Sequence, residues 1–96
     1  MDRLEIISKL RAMKPRLAQT SSLKTIAVFG SAARDELRPD SDIDILIDFE
    51  HSPGFFALAD LEERLGAALG RPVDLFTTAS LHPLLRDRIL KEAVYA

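Results

Sequence analysis

Two aspartates separated by one residue, Asp42 and Asp44, are the side chains of this sequence best suited to chemistry. They open an alternating apolar stretch that is typical of a strand, so both carboxylates point to one face, with Cα atoms about 6.5–7 Å apart. Side chains at that separation can converge on one cation. Magnesium takes hard oxygen ligands, commonly one or two protein carboxylates, and leaves its other positions to water and substrate phosphates. The pair therefore predicts a magnesium site that handles phosphate groups.

The face that carries the two aspartates is expected to be partly buried. Leu46 lies on the same side of the predicted strand as Asp42 and Asp44. Two carboxylates in such a place repel each other and lose hydration, and a bound cation would remove that conflict. The alternative is a polar start of a strand that happens to be acidic.

A turn of small residues precedes the aspartates. Gly30 and Ser31 follow an apolar run over 24–29, and the residues up to Arg34 have the pattern of the first turn of a short helix. Unpaired amides at a helix start bind anions, and glycine lets a phosphate approach the backbone closely. Taken alone, the same residues also fit a plain strand-to-helix turn. Ser41, directly before Asp42, is expected to steady the loop through its hydroxyl.

A third carboxylate, Asp74, interrupts the apolar run over 73–76. It is either an accident of an edge strand or a third member of the acidic cluster. If its strand lies beside that of Asp42 and Asp44, the interstrand spacing of about 4.8 Å brings it within reach of both. Asp48 lies about 13 Å beyond Asp44 along the strand, too far to share one ion, so it is not assigned to the site.

Apolar spacing predicts the elements that position these residues. The predicted elements are helices over 2–17, 31–34, 55–69 and 81–94 and strands over 24–29, 42–49 and 73–76. Gly70 fits the end of the third helix. Together they predict an α+β domain in which a short mixed β-sheet is flanked by about four helices.

The sequences of the first and last helices allow more detailed predictions. Pro15 is expected to bend the first helix or to end it early. The last helix has more apolar surface than one contact needs, and the surplus either packs internally or docks a partner. The apolar stripe of the first helix is predicted at Leu4, Ile7, Leu10, Met13 and Leu17.

Composition limits the class of protein. The 96 residues predict one domain over 1–96, and the net charge of -2 argues against direct nucleic-acid binding, which normally needs a clustered basic face. The sequence has no cysteine, which excludes disulfides and thiolate metal sites. No apolar run approaches a membrane span, and a cytoplasmic protein is expected.

His51 and His82 lack ligand-like spacing, and neither is expected to be catalytic.

The sequence closely resembles the nucleotidyltransferases of the polymerase-beta superfamily, and more narrowly the minimal nucleotidyltransferase (MNT) proteins, which are stand-alone domains of about this length. The resemblance extends from the first strand to the end of the chain. One departure is Asp35, where many relatives carry glycine. The residues that carry the resemblance are Gly30-Ser31, Ala33-Arg34, Ser41-Asp42-Ile43-Asp44 and Asp74.

The resemblance implies a site and a reaction. The implied nucleotide-binding residues are Gly30, Ser31, Arg34 and Ser41. The implied catalytic and metal-binding residues are Asp42, Asp44 and Asp74. In this scheme Arg34 contacts phosphate or braces the turn, and Asp74 completes the metal site or takes the proton of the acceptor. The reaction is attack on an α-phosphorus with pyrophosphate leaving in line, helped by Mg²⁺.

The resemblance also implies a partner. Such domains are commonly encoded beside HEPN-domain ribonuclease toxins and act as antitoxins, some by transferring AMP from ATP to a tyrosine of the toxin. A homo- or hetero-oligomer fits that role. Two other functions stay open: an antitoxin that neutralises its partner by binding alone, and a nucleotidyltransferase acting on a small molecule such as an aminoglycoside.

Overall fold

The computed structural model describes residues 1–96 as four α-helices and a four-stranded sheet. The predicted α+β class is confirmed. A 3-10 turn, Thr78–Ser80, connects the third strand to the last helix. In chain order the elements are α1 (Arg3–Thr20), β1 (Leu23–Phe29), α2 (Gly30–Ala33), β2 (Ile43–Phe49), α3 (Phe55–Leu69), β3 (Val73–Phe76), α4 (Pro83–Glu92) and β4 (Val94–Tyr95).

The sheet has the strand order β3-β2-β1-β4 and is mixed. β1 runs antiparallel to β2 and to β4, whereas β2 and β3 are parallel. A parallel pair needs a crossover connection, and α3 supplies it between β2 and β3. This crossover brings the starts of β2 and β3 to the same edge of the sheet.

Alternate residues of the strands face two different environments. On one side, odd-numbered β2 residues such as Ile45 pack with α1 and α3 in a cluster of 15 buried residues. On the other side, Leu46 belongs to a cluster of only four buried residues, against which Ile89 and Leu90 of α4 pack. We call these the α1–α3 face and the α4 face. The alternation predicted for β2 is confirmed, and Asp44 and Asp48 lie on the α4 face.

α1 is longer than the sequence predicted. Pro15 lies inside the helix, which continues to Thr20, so the expectation that Pro15 ends it was wrong. The last turn is stabilised beyond the proline because Leu17 is buried and its carbonyl accepts hydrogen bonds from the backbone N–H and the hydroxyl of Ser21 at 2.9 and 2.6 Å. Leu4, assigned to the apolar stripe, is 77% exposed, and Ile6 is buried instead.

α4 is shorter than the predicted helix over 81–94. It begins at Pro83, where the ring of His82 accepts a hydrogen bond from the N–H of Leu84, and it ends at Glu92. Val94 therefore belongs to β4, which pairs with β1, rather than to the helix. No helix of the protein combines the length and apolar character that crossing a bilayer requires.

Candidate active site

The carboxylates of β2 and β3 stand side by side. Asp44 and Asp74 are register partners in the parallel pair, so their side chains leave the same face of the sheet. The sequence left open whether the strand of Asp74 lies beside that of Asp44, and the structure shows that it does. Asp42 immediately precedes β2 and is exposed, as is Asp74, whereas Asp44 is half-buried. The acidic cluster thus has a sheltered centre and two accessible members.

The central carboxylate is electrostatically strained. Burial raises the pKa of Asp44 above its usual value, and the negative charges of Asp74 and then Asp42 raise it further. The positive charge of Arg34 acts in the opposite direction but does not offset them. A half-buried group that is pushed toward its protonated form by like charges is one that a cation would stabilise.

The donor set fits magnesium. No group of three or more histidine or acidic side chains has the spacing of a preformed metal site. Magnesium, however, typically uses one or two protein carboxylates and completes its shell with water and substrate phosphates. Asp44, with Asp42 or Asp74 beside it, provides hard oxygen ligands of this kind together with the unbalanced negative charge.

Gly30 joins the small-residue turn to the acidic cluster. Its φ of +66° lies in the left-handed region that favours glycine. A Cβ built on Gly30 would collide with Oδ2 of Asp44. The backbone of the turn and the central carboxylate are therefore in contact, and only glycine leaves room for both.

The rest of the turn is anchored to the core and leaves one hydroxyl free. Ala32 and Ala33 are buried in the cluster on the α1–α3 face. Ser31 is half-buried, and its backbone carbonyl accepts a hydrogen bond from the N–H of Glu36 at 2.8 Å. Its hydroxyl has no hydrogen-bond partner within the chain, so it is available to a ligand beside Gly30.

Arg34 braces the turn against α4. Its guanidinium forms ion pairs with Glu36 at 3.3 Å and with Glu92 at 2.8 Å. The hydrogen bond that Arg34 donates to Glu36 and the negative charge of Glu92 raise the pKa of Arg34. Bracing of the turn, one of the two roles that the sequence left open for Arg34, is seen in the structure, and contact with phosphate stays a prediction.

Arg71 is a positioning residue that sequence reasoning missed. Its guanidinium donates hydrogen bonds to the carbonyl oxygens of Arg38 and Ser41, the latter at 3.1 Å. The hydroxyl of Ser41 accepts from the N–H of Arg38 at 3.3 Å, which confirms that it steadies the loop. Arg71 lies just before β3, so it ties the loop that leads to Asp42 to the strand of Asp74. Because its partners are backbone carbonyls, no sequence pattern marks the contact.

Asp35 also has a defined structural role. Its φ of +59° explains why glycine suits this position, and aspartate is among the residues that tolerate this conformation. Its carboxylate accepts a hydrogen bond from the N–H of Arg3 at 2.8 Å, and the Arg3 side chain donates to the carbonyl of Ala33 at 3.0 Å. The charge of Asp35 is thus used to fix the start of α1.

Residues that the sequence excluded from the site have other partners. Asp48 accepts hydrogen bonds from the N–H and the hydroxyl of Thr78, which holds the 3-10 turn on the α4 face. His82 caps α4. His51 is exposed and is connected to Ser22 through its backbone.

Comparison with known proteins places the chain in a family. Residues 10–96 match the model of the "Nucleotidyltransferase domain" family. The chain is 44% identical over 91 residues to the protein adenylyltransferase MntA of Thermococcus cleftensis, covering 95% of this chain and 92% of that protein.

Solved structures of nucleotidyltransferases have the same fold as this chain. A protein provisionally called a minimal nucleotidyltransferase superposes with a TM-score of 0.82 at 35% identity, covering 98% of this chain and 95% of the other. The complex of a tri-AMPylated Shewanella oneidensis HEPN toxin with an MNT antitoxin matches with a TM-score of 0.62 at 26% identity, covering 97% of this chain and 66% of that chain. The chain therefore belongs to the nucleotidyltransferase domain family, in which it is an enzyme of the minimal nucleotidyltransferase type.

Proposed function

We propose that this protein is a magnesium-dependent adenylyltransferase that moves AMP from ATP to a tyrosine hydroxyl of a HEPN ribonuclease toxin, and that it acts in this way as the antitoxin. The observation that carries the proposal is that the Gly30 turn lies directly against the acidic cluster. Asp44 stands beside Asp74, and Gly30 packs against the Asp44 carboxylate. A phosphate-binding turn and an acidic cluster in contact are the parts that nucleotidyl transfer needs.

Each step of the proposed reaction is assigned to particular residues. The acceptor oxygen attacks the α-phosphorus and forms a new P–O bond, while the bond from that phosphorus to the bridging oxygen breaks and pyrophosphate leaves with the electron pair. Asp74 accepts the hydroxyl proton in this scheme, and Gly30 and Ser31 hold the triphosphate. Magnesium, held by Asp42 and Asp44, would offset the negative charge of the phosphates.

The exposure of the outer carboxylates supports a protein acceptor. Asp42 and Asp74 are exposed, so a side chain presented by another protein can approach the cluster from solvent. The similarity to an adenylyltransferase and to an MNT antitoxin bound to an AMPylated HEPN toxin supports the choice of AMP as the group and of a HEPN toxin as the acceptor.

Labelled ATP tests the proposal directly. The protein is mixed with magnesium, α-labelled ATP and a candidate HEPN-domain partner, and the partner is examined by intact mass and peptide mapping. We expect a mass gain of one or more AMP groups on tyrosine. The Asp42→Ala, Asp44→Ala double variant should lose labelling while it still binds the partner. Asp40→Ala removes a charge from the same loop and should label normally.

The other outcomes separate the alternatives. A stable complex without any mass gain would identify an antitoxin that works by binding alone. Labelling of an aminoglycoside in place of the partner would identify a small-molecule enzyme. Undiminished labelling by the double variant would remove Asp42 and Asp44 from the site.

A further inference from the structure

A cleft lies next to the Gly30 turn, between the turn and α4. Its volume is about 210 Å³. One wall belongs to the end of β1 and to α2, and the other to one side of α4. Its lining residues are Phe29, Gly30, Arg34, Leu85, Arg88, Ile89 and Glu92. Gly30 borders both this cleft and the Asp44 carboxylate. A ligand with its α-phosphate at the carboxylates can therefore extend over Gly30 into the cleft.

The two arginines of the cleft are in different electrostatic states. Arg34 is shared between Glu36 and Glu92, at 3.3 and 2.8 Å. Arg88 is exposed, and the three ion pairs of the chain do not include it. Glu92 is four residues further along α4 but is paired with Arg34 instead. Arg88 is thus the positive charge beside the turn that forms no ion pair.

We propose that Arg88 binds the β- and γ-phosphates of the nucleoside triphosphate and stabilises the pyrophosphate that leaves. This inference rests on the proposed function. When the bond between the α-phosphorus and the bridging oxygen breaks, the electron pair stays on the pyrophosphate. A guanidinium placed there gains interaction energy as that charge develops, and its planar fork matches phosphate oxygens. Arg34 offers less to the same anion because two carboxylates already neutralise it.

Binding measurements with three ligands test this assignment without requiring turnover. Calorimetric titrations with magnesium pyrophosphate, magnesium ATP and AMP are run on the wild-type chain, Arg88→Gln, Arg88→Lys and Lys91→Gln. Lys91 is an exposed cation on the same helix that does not line the cleft, so it controls for the change in net charge. Thermal unfolding of each variant checks that the fold is retained.

We expect Arg88→Gln to raise the Kd for pyrophosphate and ATP about tenfold, the effect of losing one charge-assisted hydrogen bond in a partly exposed site. AMP lacks the β- and γ-phosphates, so its Kd should stay the same. Arg88→Lys should fall between wild type and Arg88→Gln because it keeps the charge but not the fork. Lys91→Gln should change each Kd by less than about twofold.

Each contrary result has a distinct meaning. If Arg88→Gln binds pyrophosphate as Lys91→Gln does while the wild type transfers AMP, the assignment of Arg88 is overturned and the proposed function stands. An equal loss of AMP affinity would also overturn it, because Arg88 would then act at the α-phosphate or the nucleoside. If pyrophosphate binding depends on Arg88 but no AMP reaches any protein, the proposed function fails and the phosphate site remains.

Discussion

The α1–α3 face and the α4 face are built from alternate residues of the same strands, yet they bury different chemistry. Ile45 contributes to a large cluster that is wholly apolar, whereas its neighbour Leu46 belongs to a small one. The carboxylates of Asp44, Asp48 and Asp74 lie on the α4 face, where burial is incomplete. No polar or charged residue of the protein is fully buried.

This difference shows how so small a domain can carry a strained site. The α1–α3 face supplies most of the apolar burial and therefore most of the favourable free energy of folding. The α4 face can then hold like charges close together, because the apolar burial on the α1–α3 face offsets the resulting loss of stability. Stability and chemistry are thus divided between the two sides of a single sheet, and substitutions on each side should differ in kind.

The largest effect should come from the centre of the acidic cluster. Asp44→Asn removes the charge while it keeps the size of the side chain, and we expect AMP transfer to fall about 10³- to 10⁴-fold, as for other essential catalytic groups. Far-UV circular dichroism should be unchanged because the half-buried side chain has no hydrogen-bond partner to lose. Single-turnover labelling of the partner measures the loss. A rate within tenfold of wild type would show that the α4 face does not hold the reaction.

The second effect compares the two faces by matched truncations in one strand. Ile45 and Leu46 are both fully buried, at 0% and 1% exposure. Truncation of either residue to alanine should lower the free energy of unfolding by about 2–5 kcal/mol, and Ile45→Ala should lie at the upper end. The cavity left by Ile45 is enclosed by a larger cluster, whereas the surroundings of Leu46 can relax more easily. Urea unfolding measures both, and an equal or larger loss for Leu46→Ala would contradict the division of roles.

How far the sequence predicts this arrangement depends on the range of each interaction. The alternation of β2 is local, so the face of Asp44 was predicted correctly. The position of Asp74 was only conditional, because the pairing of β2 with β3 is a long-range event that the crossover through α3 decides. The resemblance of the motifs to the nucleotidyltransferases, and not local spacing, assigned Asp74 to the site.

Other features were beyond sequence reasoning for identifiable physical reasons. β4 has two residues, too few for a period of two to be visible, so Val94 was assigned to the helix before it. Arg71 and Asp35 act on backbone groups distant in sequence, which leave no mark in residue type. Helix α1 continues past Pro15 because tertiary burial of Leu17 outweighs the local preference.

The third effect concerns the contact between the turn and the carboxylate, and two glycines provide a matched test. Gly30 and Gly70 have φ of +66° and +72°, but a Cβ at Gly70 would meet nothing within 4 Å. Each alanine variant should lose about 1–2 kcal/mol because of the left-handed backbone. Gly30→Ala should also lose AMP transfer about 100-fold, since its Cβ displaces the Asp44 carboxylate.

Activity and stability are measured together for these variants. Chemical denaturation gives the shared loss, and single-turnover labelling gives the loss that belongs to Gly30 alone. Equal activities of the Gly30→Ala and Gly70→Ala variants would show that the contact with Asp44 has no functional role.

The smallest effect is the pH dependence of stability that the α4 face imposes in the absence of metal. The pKa of Asp44 is raised in the folded protein, so the folded state holds this proton more tightly than the unfolded state does. The contribution of Asp44 to stability is therefore most favourable below its unfolded pKa and is lost as pH rises through the folded value. Above the folded pKa the ionised carboxylate opposes folding, so Asp44→Asn should melt at a higher temperature than the wild type there.

Melting curves from pH 4 to 8 in chelator test this sign. The Tm advantage of Asp44→Asn over wild type should grow as pH rises and then level off. Magnesium should raise the Tm of the wild type and leave that of the variant unchanged, because a bound cation relieves the repulsion only where the charge is present. Asp48→Asn is the contrast on the same face: its carboxylate accepts two hydrogen bonds from Thr78, so the variant should melt lower than wild type. A lower Tm for Asp44→Asn at neutral pH would mean that the cluster is not strained and that the α4 face carries its charges without a cation.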